Sequence, residues 1–332
     1  MEIFPLIIIL MAFIFDFYNG MNDAANSIAT VVSTRVLTPT QAVIWAAFFN
    51  FVAAFTFGVG VAKTIGSGIV VTDIVSNSVI FASLFGAILT SAFATHMGFP
   101  ISISHAIIGG LGGAALVKAG ASSIIASGFV KVFVFIFLAP IIGFVISIVF
   151  SIATLWLVRN SQPHKVDHWF RKLQLVSAGL YSLSHGANDA QKTMGIITLV
   201  LFSNALIPTF EVPFWVEFSS YSIISLGTLI GGWKVIKTLG MRMTKLNAFG
   251  GFSAESSAGL TIIFATILGI PVSTTHTITG SIAGVGITKG GTGGLRWGVA
   301  RNILWAWILT IPLSGGFAAL SYYILSRIFN LA

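Results

Sequence analysis

The sequence predicts an all-α polytopic membrane protein made of two homologous halves, with discontinuous helices and two re-entrant helical hairpins. Three observations predict it: an apolar, charge-poor composition, polar motifs that recur in order, and proline-started segments too short to be ordinary spans. Over 332 residues, 56% are hydrophobic, 8% are charged and the mean hydropathy is +0.97. A soluble domain carries about one quarter charged residues, so this chain cannot coat a water-facing surface. The chain has no cysteine, which removes disulfides, thiol catalysis and cysteine metal sites. The net charge of +8 fits cytoplasmic loops under the positive-inside rule and an anionic substrate, with no nucleic acid partner.

At 1.5 Å per residue, about 20 apolar residues cross the hydrocarbon core of a lipid bilayer. The first run, residues 3–18, follows Met1-Glu2 without a basic n-region and is expected to be retained rather than cleaved. Residues 41–62 fit one span and 78–95 a shorter one. Residues 122–158, interrupted by Lys131 and Pro140, fit two passes or one long tilted helix. Further candidates are 215–233, 248–268 and 299–328. The longest polar stretch, residues 159–172, carries Arg159, Lys165, Arg171 and Lys172; a second basic cluster holds Lys234, Lys237, Arg242 and Lys245. Both are expected on the cytoplasmic side, with two passes between them.

Two unrelated motifs repeat in the same order. Gly98, Pro100, Ser102 and His105 recur as Gly269, Pro271, Ser273 and His276, an offset of 171. Gly20, Asn22, Asp23 and Ala24 recur as Gly186, Asn188, Asp189 and Ala190, an offset of 166. The halves are therefore residues 1–158 and 173–332, joined by the basic linker 159–172. Duplicated membrane halves point to a transporter with a midplane site between the repeats.

Each motif has a chemistry. An ionised Asp at mid-membrane costs about 2.5–3.5 kcal/mol, and the chain accepts that cost twice, at Asp23 and Asp189. Neighbouring Gly and Asn predict a helix break whose freed carbonyls, with the carboxylates and the oxygens of Asn22, Asn26 and Asn188, cage a hard cation. Capping of a half-helix by each Asp is the plainer alternative. The second motif pair, near residues 98–118 and 269–288, starts a helix after proline, with Phe99 and Ile270 held out of α geometry. Its hydroxyls, Ser102 and Ser104 in one half and Ser273, Thr274 and Thr275 in the other, join free N–H groups and the positive dipole end to bind an oxyanion. His105 and His276 read as neutral residues holding hairpin backbone, and His96 and His185 carry little weight because their repeat partners are not histidine. Lys192 is an available counter-charge whose counterpart is Asn26, so the two cation sites are unequal. Gly109-xxx-Gly113 and Gly280-xxx-Gly284 read as close helix packing, and nothing suggests an enzyme or a cofactor.

Gly20–Ser27 (G-M-N-D-A-A-N-S), His185–Gly195 (H-G-A-N-D-A-Q-K-T-M-G) and the P-I-S-I-S-H and P-V-S-T-T-H hairpin motifs resemble the duplicated signatures of the inorganic phosphate transporter (PiT) family. The resemblance covers nearly the whole chain. It implies an inverted repeat of about 12 membrane elements in the cell membrane, and co-transport of inorganic phosphate with Na⁺ (favoured) or H⁺. It also implies a homodimer, cation ligands at Asn22, Asp23, Asn26, Asn188 and Asp189, and phosphate at the hydroxyl tips and the two motif asparagines. Met21 and the Gln191-Lys192 pair depart from the usual pattern, and the short linker points to a prokaryotic source. A sulfate permease on the same scaffold and an anion channel are the alternatives.

Overall fold

A computed structural model describes residues 3–71, 74–236 and 243–328. Its α-helices are α1 (Ile3–Ser33), α2 (Pro39–Val52), α3 (Gly60–Ser67), α4 (Asn77–Met97), α5 (Ile103–Ala119) and α6 (Ala126–Val158), then α7 (Pro163–Ser203), α8 (Phe214–Ile230), α9 (Ala248–Ile267), α10 (Thr274–Gly290) and α11 (Trp297–Ile328). The chain is a multi-pass membrane protein, nearly all helical. Among the described residues, five helices are long and apolar enough to cross a membrane, six if α2 and α3 count as one broken span.

Several expectations change. The 41–62 segment is not one straight helix: α2 starts at a Thr38–Gln41 capping box with Pro39 in its first turn, and its pair with α3 is bent by 85°. The 122–158 run is one helix of 33 residues with Pro140 inside it. The basic linker is helical from Pro163 onward and runs without interruption into the second signature, giving a 41-residue helix about 60 Å long. At its start Arg171 donates to the carbonyls of Thr34 and Arg35 at the end of α1. Lys237 and Arg242 lie outside the described residues.

The predicted breaks at the signatures do not form either. α1 is continuous through Gly20–Asn26, and α7 through Gly186–Lys192. The glycines have another purpose. A Cβ on Gly20 would lie 2.1 Å from the Ile224 carbonyl oxygen of α8, and one on Gly186 would lie 2.6 Å from the Asn50 carbonyl oxygen of α2. Each signature helix thus packs backbone to backbone against a helix from the other stretch of chain, as small residues allow in membranes.

The hairpins turn as expected, with Gly98 and Gly269 at φ 80° and 64° and Phe99 and Ile270 outside helix. The prolines stand two residues ahead of the caps rather than in the first turn. α5 folds back on α4, since Gly110 meets the Ser83 carbonyl. The paired small residues then exchange partners. Gly109 and Gly113 meet the backbone of Ile311 and Gly315 on α11, while Gly280 and Gly284 meet the backbone of Pro140 and Phe144 on α6. Each hairpin helix is therefore clasped by a long helix of the opposite half. The outward faces of α6 and α11 carry exposed apolar residues such as Phe133, Phe137, Ile141, Leu309 and Leu313, suited to lipid.

Gly20→Ala is expected to force α1 off α8 and cost about 1–3 kcal/mol, read as a lower unfolding temperature in detergent. Alanine at the open position Gly316, where a Cβ meets nothing, is the control.

Candidate functional site

The two signature helices bring Asp23 and Asp189 together, and the tip of the second hairpin closes over them. Both carboxylates are buried. The Thr274 hydroxyl faces both, 3.1 Å from Asp23 Oδ2 and 3.4 Å from Asp189 Oδ2. The Thr275 hydroxyl donates to Asp23 Oδ1 at 3.1 Å and accepts from the Asn26 amide at 2.9 Å. Lys192, fully buried, donates from Nζ to Asp189 Oδ1 at 2.5 Å and to the Val272 carbonyl at 3.1 Å.

His185 completes the cluster, against the low weight its sequence position suggests. Its Nε2 lies 3.6 Å from Asp23 Oδ2 and 3.6 Å from Asp189 Oδ2. The tautomer follows from a chain of donors. Thr228 donates its hydroxyl proton to the Ile224 carbonyl, so its oxygen accepts from the Asn50 amide. Asn50 Oδ1 is then turned toward His185 Nδ1, 3.1 Å away, which must carry the proton. In a neutral ring, Nε2 is then a lone pair facing two carboxylate oxygens. Asp23, His185 and Asp189 offer ligand atoms all within 4.8 Å of one another. Three acceptors aimed at one point take up positive charge, as a cation among them or as a proton on Nε2.

The tips of the hairpins meet at the same place. Ser104 donates to the Val272 carbonyl, the oxygen that Lys192 also engages. The rings of His105 and His276 contact edge to face at 4.4 Å, with no hydrogen-bond partner on any ring nitrogen, and His276 stacks on Trp307. They pack the helix starts against each other instead of holding hairpin backbone. Ser102 and Ser273 accept from the backbone N–H of His105 and His276 as ordinary N-caps.

The asparagines divide. Asn22 donates to Thr95 and Asn188 to Thr266, equivalent positions in the two repeats. Asn188 also bonds the Ile270 carbonyl and the Val272 N–H, so it clamps the second hairpin's turn. The Oδ1 atoms of Asn22 and Asn26 are buried without a partner. With no break in either helix, the freed-carbonyl cage is absent, and the acceptors come from side chains. The Thr274 and Thr275 hydroxyls, expected at the anion, here donate to the carboxylates. Sequence reading also passed over Glu255, buried on α9, which accepts from Gln174 and from Ser177 while Gln174 accepts from Thr34. That cluster ties α1, α7 and α9 together. Only its burial marks it, since nothing repeats there.

A family profile described as "Phosphate transporter family" matches residues 19–318. A probable low-affinity inorganic phosphate transporter of Rhizobium meliloti is 52% identical over 96% of each chain. One of Bacillus subtilis, described in the same words, is 44% identical over 98% of each chain. A solved structure described as "The sodium-dependent phosphate transporter" superposes with a TM-score of 0.88 at 28% identity, covering 98% of this chain and 100% of that one.

Lys192→Met is expected to cost about 3–5 kcal/mol by stranding the Asp189 charge, and Asp189→Asn in that background to recover most of it. A double-mutant cycle on unfolding temperature in detergent measures this coupling.

Proposed function

Because the chain belongs to the phosphate transporter family, we propose that it imports inorganic phosphate coupled to sodium, with alternating access around the cluster where both signature helices meet both hairpin tips. The observation that carries this reading is the convergence of Asp23, His185 Nε2 and Asp189 on one buried point beneath Thr274.

Charge decides the coupling. A phosphate beside two carboxylates puts at least three negative charges in a buried site, and isolated buried ions are prohibitively costly. The helix starts of α5 and α10 supply roughly half an elementary charge each. Lys192 supplies one full charge at the second repeat, while Asn26 at the equivalent position of the first supplies none. The first repeat therefore depends on a mobile cation, held by Asp23 with the unpartnered oxygens of Asn22 and Asn26 close by on α1. Phosphate enters where Ser102, Ser104, Ser273, Thr274 and Thr275 cluster. Its arrival draws the threonine hydroxyls from the carboxylates, and the incoming cation replaces them there. Asn188 acts through the turn it clamps. Sodium is favoured over a proton because most of the converging ligands are oxygens, and the structural relative is described as sodium-dependent.

Asp23→Asn, isosteric and uncharged, is expected to leave a folded protein and reduce sodium-driven phosphate uptake into proteoliposomes to background. Excess sulfate is expected not to compete with labelled phosphate. Uptake by the variant equal to the unaltered protein removes the cation site, and uptake indifferent to any cation gradient replaces the symporter with a channel.

A further inference from the structure

One buried acid remains without a role. Asp16 lies on α1, fully buried, and neither of its carboxylate oxygens has a hydrogen-bond partner. Asn19, one turn on, is also fully buried with both amide atoms unpartnered. Thr193 of α7 is buried beside Asp16, and its hydroxyl too has no hydrogen-bond partner. Native proteins leave few such atoms, and three neighbouring side chains in that condition call for an explanation.

The register of α1 supplies one. Asp16, Asn19, Asp23, Asn26 and Thr30 follow at three- and four-residue intervals, so they share one buried face. Asp16 stands about 10 Å along the axis from Asp23. The charged groups whose fields act on Asp16 are Asp189 and Lys192 on α7. The Lys192 ammonium is already committed to Asp189 and to the Val272 carbonyl, so it does not neutralise Asp16. An ionised carboxylate there has no cation paired with it, which is costly in a buried position. The cluster is also not a by-product of duplication: the counterparts of Asp16 and Asn19 in the second repeat are Ser182 and His185.

We propose that Asp16, Asn19 and Thr193 form a second sodium site, one step along α1 from the central cluster, through which the cation reaches or leaves Asp23. The two carboxylate oxygens, Asn19 Oδ1 and the Thr193 hydroxyl are the hard oxygen ligands such an ion takes. This rests on the sodium reading above and adds a waystation outside the phosphate cluster.

The test is equilibrium binding of radioactive sodium to the purified, detergent-solubilised chain without phosphate. Asp16→Asn mimics a permanently protonated acid and is expected to remove about one bound ion per chain, while Asp23→Asn removes a different one. Thr193→Val, isosteric but without the oxygen, is expected to weaken the Asp16 ion about 10-fold, and it decides the matter if Asp16→Asn does not fold. Full sodium binding by Asp16→Asn, or an unchanged affinity in Thr193→Val, overturns the site while the central cluster stands. Loss in Asp16→Asn with none in Asp23→Asn supports the site and overturns the central reading. No sodium bound by the unaltered protein overturns both.

Discussion

The architecture answers to the energy of holding two carboxylates close together in a buried site. Asp23 and Asp189 arrive on different helices, and Lys192 offsets one of them from three residues away. The other leans on neutral donors, Thr274 and Thr275, and shares His185 Nε2. Much of the surrounding geometry serves that imbalance. Glycines let α1 and α7 approach their neighbours closely, Asn188 fixes the turn that aims the threonines, and Asn50 sets the face of His185 turned toward the acids.

The two halves are alike in sequence yet do not fold as two bodies. α5 lies in the grip of α11 and α10 in the grip of α6, while α1 seats on α8 and α7 on α2. A change in one hairpin therefore reaches the long helix of the other half directly, through backbone contacts under which no side chain can give way.

Much of this was legible in the sequence. Composition and the doubled motifs indicate a helical membrane protein, the prolines indicate the hairpin starts, and the matched Asp residues indicate the centre. The residues that sequence misassigned share a physical cause. Gly20 and Gly186 looked like helix breakers because a glycine's conformational freedom is visible locally, whereas the neighbouring carbonyl that requires it lies some 200 residues away for Gly20 and about 136 for Gly186. His185 carries little weight in the sequence because its repeat partner is Asn19, yet its place beside the two carboxylates does not follow the symmetry. The proton on Nδ1 is fixed by Asn50 and Thr228, a relay that no spacing rule encodes. Glu255 is silent for the same reason, being paired by tertiary structure alone.

The unbroken course of α7 constrains how the protein moves. A helix whose ladder is intact from Pro163 to Ser203 cannot yield at its centre without giving up main-chain hydrogen bonds. The segment carrying Asp189 is thus part of one continuous rod. The same rod begins in the basic stretch and is laced there, through Arg171, to the chain just past α1, so the polar surface and the buried carboxylate belong to one rigid element.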